Sequence, residues 1–395
     1  MAIIGGGPAG MMAAATLAPH VRVDLYERQR TLGRKFLVAG AGGLNITNAS
    51  EGDPHLAHYL PVERMRPIIE AFGPVELRSW LRRLGVDTFV GTSGRVFPQR
   101  SLRPAEVLGR IREHLIEGGV NLHTGHAFIG FRAQARPLVE ANGQQLALEH
   151  PFCLFALGGA SWPVTGSTGD WLDHFEAIGV RTEPFAASNC GVEVPLPEGL
   201  RVHAGKPLKN IRVSAGPRSL RGEITITEHG LEGNAIYPLV PWLRAALRTD
   251  GKAELQIDLK PDLTTEAIAE RLFFTQWRER PAVLRWDRTA MAFFKAFTPK
   301  EHYLDGNRWA VDLKNVRVPV TGLRPLVEAI STVGGIALEA VASDLSLLRH
   351  PHLFVAGEML DTDAPTGGYL LQGAFAMGHF AAQGLLKRIR EEHTD

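Results

Sequence analysis

The two ends of the chain share one pattern of apolar and polar positions. Short apolar runs at residues 2–4, 152–157 and 352–356 predict buried strands, and residues 21–27 alternate like a further strand. Segments with apolar residues at helical spacing lie between these runs. Because strands that alternate with helices form parallel sheets, this pattern predicts an α/β fold of the Rossmann type.

Prolines and glycines set the limits that we expect for the helices. Residues 62–84 have apolar positions at helical spacing, and Pro67 and the pair Gly73 and Pro74 predict a division into at least two helices. The last helix is expected at residues 370–386, which are small and apolar and follow a glycine pair. A helix that starts after such a turn can present its free backbone N–H groups to a ligand.

The middle of the chain has a different pattern. From residue 188 to 259, short β-forming runs alternate with glycine and proline turns, which predicts a small antiparallel sheet or barrel. Residues 264–297 have a helical pattern interrupted at Pro281, and their aromatic stripe is more typical of a core than of a cofactor site. The expected domains are a nucleotide-binding domain from residues 1–187 and 326–395, an inserted barrel-like β domain from 188–262 and 301–325, and a helical insert at 263–300.

Composition narrows the class of protein. The 395 residues carry a net charge of +1, so neither nucleic acid nor an anionic membrane is expected as the main partner. No apolar run approaches the ~20 residues that span a bilayer. Cys153 and Cys190 form no metal or dithiol motif, so we expect both to pack in the core. With a strand starting at Ala2, no signal or transit peptide is expected, and these features predict a cytoplasmic protein.

The first strand leads into a glycine turn that is typical of dinucleotide binding. Gly5, Gly7 and Gly10 occupy the glycine positions of G-x-G-x-x-G, between a strand and a helix. In this motif the first glycine forms the turn, the second admits a pyrophosphate, and the third lets the helix pack on the strand. Glu27 ends the second strand seventeen residues after Gly10. An acid that binds a ribose is expected at an offset of about 20 residues.

A second group of glycines lies near the end of the chain. Gly357 and Glu358 follow an apolar strand, and Gly367 and Gly368 precede the last helix. If the ligand is FAD, the positive end of that helix faces the pyrimidine edge of the isoalloxazine and favours a reduced, anionic flavin. We then expect Glu358 near the ribityl or pyrophosphate group and Gly368 within contact distance of the ring.

These motifs resemble those of the YhiN/BaiN-like NAD(P)/FAD-dependent oxidoreductases, flavoproteins with the two-dinucleotide-binding-domain FAD fold. The matching segments extend over nearly the whole chain and are residues 5–10, 33–35, 42 with 45–48, 94–98, 156–163, 165–170, 357–361 and 366–369. The resemblance implies FAD, an inserted β-barrel and a helical insert. It also implies NAD(P)H-linked reduction, with enone-type bile acids as proposed substrates of one branch.

One loop departs from the family pattern S-G-G-G-R-C-N-x-T-N. Ala39, Ala41, Gly43 and Leu44 replace its Ser, its second Gly, its Arg and its Cys, and Leu370 stands where an Asn is usual later in the chain. The chain therefore resembles a divergent branch, in which an activity that depends on that Arg or Cys is not expected.

The expected FAD-binding residues come from the glycine motifs and from the resemblance. They are Gly5, Gly7, Pro8, Ala9, Gly10, Glu27, Arg28, Arg34, Lys35, Asn45, Thr47, Ala127, Ala156, Leu157, Gly158, Gly357, Glu358, Gly367, Gly368 and Tyr369. No residue is assigned to catalysis, and no cluster of metal ligands is evident in the sequence.

We interpret the chain as an FAD-dependent oxidoreductase that acts on a small organic substrate. NAD(P)H is expected as a transient electron donor, because no second G-x-G-x-x-G provides a nicotinamide domain. A flavin oxidase or monooxygenase and a non-catalytic FAD-binding module remain as alternatives. A flavin-dependent RNA modifier is disfavoured by the near-neutral net charge. The oligomeric state stays unknown from sequence.

Overall fold

A computed structural model of the chain describes residues 1–40 and 43–392, which form two compact units. The first unit joins Met1–Ala186 to the segment that begins at Ile330, and the second unit is Ala187–Ala329. Ala41 and Gly42 of the expected glycine loop lie outside the described residues.

The elements are numbered in chain order. The first segment contains strands β1 (Ala2–Ile4), β2 (Asp24–Glu27), β3 (Thr47–Asn48), β4 (Thr88–Val90), β5 (Arg95–Pro98), β6 (Asn121–Thr124), β7 (Ala127–Arg132), β8 (Arg136–Ala141), β9 (Gln144–Ala147), β10 (Cys153–Phe155) and β11 (Thr182–Ser188). Its helices are α1 (Pro8–Leu17), α2 (Arg34–Ala39), α3 (Gly52–Leu56), α4 (Val62–Ala71), α5 (Pro74–Arg83), α6 (Pro104–Glu117) and α7 (Leu172–Ala177).

The second unit follows, and the chain then returns to the first. The strands of the second unit are β12 (Val192–Glu193), β13 (Pro207–Ala215), β14 (Arg218–Ile226), β15 (Gly230–Glu232), β16 (Ala253–Asp258), β17 (Val316–Val320) and β18 (Gly322–Leu323). Its helices are α8 (Glu198–Arg201), α9 (Val240–Asp250), α10 (Thr265–Phe273), α11 (Arg280–Val283), α12 (Arg288–Phe297), α13 (Lys300–Leu304) and α14 (Trp309–Asp312). The last segment contains β19 (Ser331–Ile336), β20 (Leu353–Val355) and α15 (Tyr369–Glu392).

The central sheet of the first unit is built from both ends of the chain. Its strand order is β20-β10-β1-β2-β6, and every neighbouring pair is parallel. Leu154 lies opposite Ile3 on one side and Phe354 on the other. Strands β1, β10 and β20 are buried along their whole length, as is typical of a parallel sheet covered on both faces. The predicted α/β fold is confirmed.

Helices α1 and α15 pack closely because small residues face each other. A Cβ built on Gly378 would lie only 2.1 Å from the carbonyl oxygen of Ala9. A side chain at position 378 would therefore separate the two helices. Helix α15 begins at Tyr369, one residue before the expected start, and continues to Glu392.

Two proline positions differ from the sequence interpretation. The break expected at Pro67 is wrong, because Pro67 lies inside α4. Burial of Met65 and Ile68 on either side of it stabilises the helix despite one missing N–H. Pro281 lies at the start of the short α11, where a missing N–H costs nothing. The helical pattern is instead interrupted on both sides of α11.

The second unit contains one antiparallel sheet. Its strand order is β17-β16-β13-β14-β15-β12-β18, so β17 and β18 are its first and last strands. The buried face carries alternate residues such as Leu255, Ile257 and Val318, and the helices add Phe294 and Trp309 to the same core. Of the aromatic stripe expected at residues 264–297, Phe294 is buried in this core and Phe297 packs against it, whereas Phe273 is 77% exposed.

Within the described part of the chain, none of the helices is both long and apolar enough to span a bilayer. Cys153 and Cys190 are both buried as free thiols. Burial raises the pKa of the Cys153 thiol to about 12, so it stays protonated and unreactive at neutral pH.

Candidate functional site

A cavity of about 250 Å³ opens in the first unit where the central strands end. Its lining includes Gly5 after β1, Glu27 at the end of β2, Ala156 after β10 and Gly357 after β20. Open α/β sheets bind their ligands at this edge, beyond the carboxyl ends of the strands. The cavity is therefore the candidate cofactor site.

The three glycines of the first turn have different surroundings. Gly5 has φ +109°, and a Cβ built on it would lie 2.3 Å from the carbonyl oxygen of Ala156. A Cβ on Gly10 would lie 1.9 Å from the carbonyl oxygen of Gly5. A Cβ on Gly7 would meet nothing within 4 Å. Gly5 and Gly10 are thus required by backbone packing, whereas Gly7 leaves space at the N-terminus of α1.

Glu27 supports the glycine turn through its carboxylate. Its Oε2 accepts the backbone N–H of Gly6 at 2.8 Å, and its Oε1 accepts that of Gln29 at 2.8 Å. Burial raises the pKa of Glu27, while the hydrogen bonds from Gln29 and Gly6 act in the opposite direction. Each oxygen keeps a further lone pair, which a ribose hydroxyl could use.

Arg28 links the end of β2 to the loop before α7. Its guanidinium donates to the carbonyl oxygen of Gly166 at 3.2 Å and to Oγ1 of Thr168 at 3.1 Å, and it pairs with Asp170 at 3.4 Å. Arg34 instead donates to Oε1 of Gln29 at 2.9 Å. Both arginines line the cavity, and their hydrogen bonds hold two neighbouring segments of its wall.

A second polar group joins α2 to the end of β20. Nζ of Lys35 lies 2.6 Å from Oε2 of Glu358 and donates to Oγ of Ser161 at 2.8 Å. Oε1 of Glu358 accepts the backbone N–H of Thr332 at 3.0 Å. The carboxylate is thus held by a cation and a backbone amide, and its charge is compensated where it faces the cavity.

Asn45 and Thr47 lie in the loop that replaces the family pattern. Nδ2 of Asn45 donates to the carbonyl oxygens of Thr47 at 2.8 Å and Val96 at 3.1 Å. Oδ1 of Asn45 is buried and has no hydrogen-bond partner among the described residues. Thr47 donates its hydroxyl to Oε1 of Gln372 at 2.8 Å, which ties β3 to α15.

Tyr369 starts α15 and lines the cavity. Its hydroxyl lies 3.3 Å from Oγ of Ser50, which lies 3.1 Å from Nδ1 of His55. Tyr59 donates to the backbone oxygen of Tyr369 at 3.0 Å, and Nε2 of His55 lies 3.3 Å from the Tyr59 hydroxyl. Because Tyr59 donates its hydroxyl hydrogen to the carbonyl oxygen of Tyr369, its oxygen can only accept a hydrogen bond from His55. The geometry therefore assigns the proton of the neutral His55 imidazole to Nε2.

Burial sets the protonation states of His55, Tyr59 and Tyr369. It lowers the pKa of His55 to about 4, with a further contribution from nearby His58. It also raises the pKa of Tyr59 and of Tyr369 above the ordinary value for a phenol. All three side chains are therefore neutral near pH 7.

The sequence as a whole matches one protein family. Residues 1–384 match the model described as HI0933-like protein Rossmann domain. The chain belongs to this family, the YhiN/BaiN-like FAD-dependent oxidoreductases. The resemblance stated from the motifs is confirmed, and with it the interpretation of the chain as a flavin-dependent oxidoreductase.

Two curated relatives and one solved structure are similar over almost their whole length. The 3-dehydro-bile acid delta(4,6)-reductase of Clostridium scindens is 24% identical, with 98% of each chain covered. The ribosomal RNA dihydrouridine synthase of Escherichia coli is 23% identical, with 97% of each covered. The 3-ketosteroid delta1-dehydrogenase from Sterolibacterium denitrificans has a TM-score of 0.55 at 13% identity, covering 98% of this chain and 99% of its own, which shows a shared fold.

The structure brings most of the expected family site residues to the cavity. Those in its lining are Gly5, Gly7, Pro8, Ala9, Glu27, Arg28, Arg34, Lys35, Ala156, Leu157, Gly158, Gly357, Glu358 and Tyr369. Those outside the lining are Gly10, Asn45, Thr47, Ala127, Gly367 and Gly368. Ala127 lies in β7 immediately after His126 and before Phe128, which both reach the cavity, so alternation along the strand turns Ala127 away.

Several cavity residues were not in the expected set. Tyr26 directly precedes Glu27 at the end of β2, and that neighbouring position could have indicated it. Trp171 donates its indole N–H to the carbonyl oxygen of Gly158 at 3.1 Å, and it follows a motif that the resemblance had identified. Thr332 has no sequence signal, because only the fold brings it to Glu358.

Proposed function

We propose that the chain is a reductase that takes electrons from NAD(P)H and reduces a carbon–carbon double bond conjugated to a carbonyl group. Bound FAD would supply the hydride chemistry, accepting a hydride from the nicotinamide and passing it to the substrate. The observation that carries the proposal is the empty space beyond the α-carbon of Gly7, which lies at the carboxyl ends of the central strands. The chain belongs to an FAD-dependent family, and this is the place where such a fold binds its cofactor.

The residues around the glycine turn fit FAD. The space beyond Gly7 lies at the N-terminus of α1, where free backbone N–H groups favour an anionic pyrophosphate. Glu27 lies at the neighbouring strand end, with lone pairs that suit the hydroxyls of the adenosine ribose. The spacing of these two features supports a dinucleotide rather than a mononucleotide.

The cavity wall that follows β20 suits the ribityl and pyrophosphate groups of FAD. Lys35 and Glu358 form an ion pair whose carboxylate is also held by the backbone of Thr332. This pair presents donors and acceptors to the cavity without a net charge. Tyr369 adds a neutral phenol at the start of α15, and because its own proton is donated to Ser50, its oxygen can accept a hydrogen bond from an N–H or O–H of a cofactor or substrate.

The class of substrate is supported by the relatives. The names of the bile acid delta(4,6)-reductase and of the dihydrouridine synthase both describe reduction of a ring double bond conjugated to a carbonyl. A double bond of this kind accepts a hydride at its β-carbon because the carbonyl oxygen stabilises the developing negative charge. We therefore propose the same bond type for this chain.

Anaerobic mixing tests the proposal. The holoenzyme is mixed with NADH or NADPH, and the flavin absorbance is followed; a 3-oxo-4,6-diene bile acid or a uridine-containing oligonucleotide is then added to the reduced enzyme. Bleaching by one nicotinamide followed by reoxidation with an unsaturated carbonyl is the expected result. Flavin that is reduced by a saturated substrate and reoxidised by oxygen would indicate an oxidase, and flavin that is reduced by a nicotinamide but reoxidised only by oxygen would indicate a monooxygenase. Flavin that reacts with neither would indicate a binding module.

A further inference from the structure

The small sheet formed by β3, β5 and β4 carries aromatic side chains on its outer face. Phe89 lies directly opposite Phe97, so both rings project from the same side, and their centroids are 5.8 Å apart with an interplanar angle of 29°. Phe89 is 36% exposed and Phe97 is partly buried. Alternation along β5 places Arg95 on the same side as Phe97, while Val96 is buried on the other.

Arg95 shares a face of the sheet with these rings, and Arg100 lies beside one of them. The guanidinium of Arg100 lies 5.7 Å from the centroid of Phe89. Residues 78–112 contain eight arginines but only two acids, Asp87 and Glu106, so this segment is strongly basic although the chain as a whole has a net charge of +1. The positive charge of the protein is therefore concentrated locally, and net charge alone does not exclude a polyanionic partner.

Most of the positive charge of residues 78–112 is not neutralised by ion pairs among the described residues. Arg82 pairs with Asp87 at 3.5 Å. In the described part of the chain, the guanidinium groups of Arg83, Arg95 and Arg100 have no carboxylate within ion-pair distance. The unpaired cations of Arg95 and Arg100 beside a partly exposed aromatic pair match the chemistry of a base stacked on a ring with its phosphates held by arginine.

The sheet is connected to the cavity through the start of α15. Asn48 lies opposite Arg95, and its Nδ2 approaches the carbonyl oxygen of Gly367 at 3.5 Å. A Cβ on Gly367 would lie 3.8 Å from Nε of Arg95. Tyr369, two residues further on, lines the cavity. A strand of nucleotides on this face would thus pass next to the candidate site.

We infer that the outer face of β3, β5 and β4 is a binding site for single-stranded RNA. One base stacks on Phe89 and Phe97, and the guanidinium groups of Arg95 and Arg100 bind the flanking phosphates. Helix α5 carries three further arginines, Arg78, Arg82 and Arg83, and this additional positive charge in the same segment favours a polynucleotide over free NAD(P)H. The inference goes beyond the proposed reductase activity and does not depend on turnover.

Binding is measured on the FAD-loaded protein by fluorescence anisotropy, with a labelled single-stranded RNA of about twelve nucleotides, within the range of single-strand binding sites. We expect Phe89→Ala to weaken binding by about 5- to 100-fold, as loss of one stacked base does, and Phe89→Trp to retain it. Arg95→Ala and Arg100→Ala should each lower the slope of log affinity against log salt by about 0.7.

The matched control is Arg218→Ala, which removes a comparable contact, since the Arg218 guanidinium lies 5.2 Å from the ring centroid of Trp242 in the second unit. Circular dichroism and size exclusion show that each variant keeps its fold. The inference is overturned if the wild-type protein does not bind RNA at low salt, or if Arg218→Ala weakens binding as much as Phe89→Ala. It is also overturned if Phe89→Ala affects only NADPH affinity, or only self-association. Because no nicotinamide is needed, failure here is distinct from failure of the proposed reduction.

Discussion

Gly368 lies against the backbone of Thr47. A Cβ built on Gly368 would lie 2.3 Å from both the carbonyl carbon and the carbonyl oxygen of Thr47. The hydroxyl of Thr47 in turn donates to Gln372, so the first turn of α15 is held on β3 by a close contact and a hydrogen bond. From sequence, Gly368 was expected to make room for the isoalloxazine. The structure adds a packing reason for the glycine, because the space beyond its α-carbon is filled by protein, and its contact with the isoalloxazine stays a prediction.

Substitution of the two glycines before α15 should therefore have unequal effects. Gly367 and Gly368 both have positive φ, +108° and +98°, but a Cβ on Gly367 would meet nothing closer than 3.6 Å. We expect Gly368→Ala to lower the free energy of unfolding by about 1–3 kcal/mol more than Gly367→Ala, which is the usual cost of overpacking. Urea unfolding followed by circular dichroism measures the difference. Equal losses in the two variants would show that Thr47 does not limit position 368.

Substitution of Gly7 should affect cofactor binding and not stability, because a Cβ built on Gly7 would meet no protein atom within 4 Å. Its φ of −78° is open to any residue, so Gly7→Ala should leave the stability of the apoprotein unchanged. We expect the same variant to weaken FAD binding by about tenfold or more, since hydrogen bonds to a charged phosphate contribute about 1.5–3 kcal/mol each. Gly5→Ala is the contrasting variant and should lose stability itself. Unchanged FAD affinity of a folded Gly7→Ala protein, in a flavin fluorescence titration, would remove the pyrophosphate from this turn.

The pair of Lys35 and Glu358 should be coupled in its effect on FAD affinity. Lys35→Met leaves the Glu358 carboxylate without its cation beside an anionic cofactor, so FAD binding should weaken. Adding Glu358→Gln should restore part of the loss. The double-mutant cycle is expected to give a coupling energy of about 0.5–3 kcal/mol. The same cycle for Arg136 and Glu149, an exposed pair, serves as the control; strictly additive losses at Lys35 and Glu358 would argue against a shared role.

His55 should make stability depend on pH. Its pKa is about 4 in the folded chain and 6.5 in the unfolded chain, because the imidazole is buried. Between these values the unfolded chain binds a proton that the folded chain does not, so stability falls as pH decreases from 6.5 to 4. At about 1.4 kcal/mol per pH unit, the cost at pH 5 is about 2 kcal/mol.

His55→Gln should remove the part of the pH dependence of stability that comes from His55. Urea unfolding at pH 7 and pH 5 gives the comparison: the wild-type protein should lose more stability than the variant on acidification, and His20→Gln, at an exposed position, should behave like wild type. A variant that loses as much stability as wild type between the two pH values would show that His55 already titrates normally in the folded state.

Local pattern was enough for the central elements of the fold. The apolar runs at Ile3, Leu154 and Phe354 predicted strands that the structure places side by side in one parallel sheet. Strand identity is a property of a few consecutive residues, so it can be read without the rest of the chain. Pro67 shows the limit of that approach, because buried neighbours outweighed a local helix-breaking signal.

The distribution of charge along the chain bears on the proposed RNA site more directly than the net charge does. The value of +1 for the whole chain disfavoured nucleic acid, yet residues 78–112 are rich in arginine, and Arg100 lies over the partly exposed ring of Phe89. The sequence contained this cluster. Only the pairing of Phe89 with Phe97 showed that the rings share an exposed face.

The glycine spacing, the strand pattern and the family membership follow from the order of residues alone, since each depends on short segments or on motifs in sequence. The contacts that define the site depend on the tertiary structure. Lys35 and Glu358 are 323 positions apart, and Thr47 and Gln372 are 325 apart. No local preference encodes such contacts, because they exist only when strands from both ends of the chain pair in one sheet and α15 packs against β3.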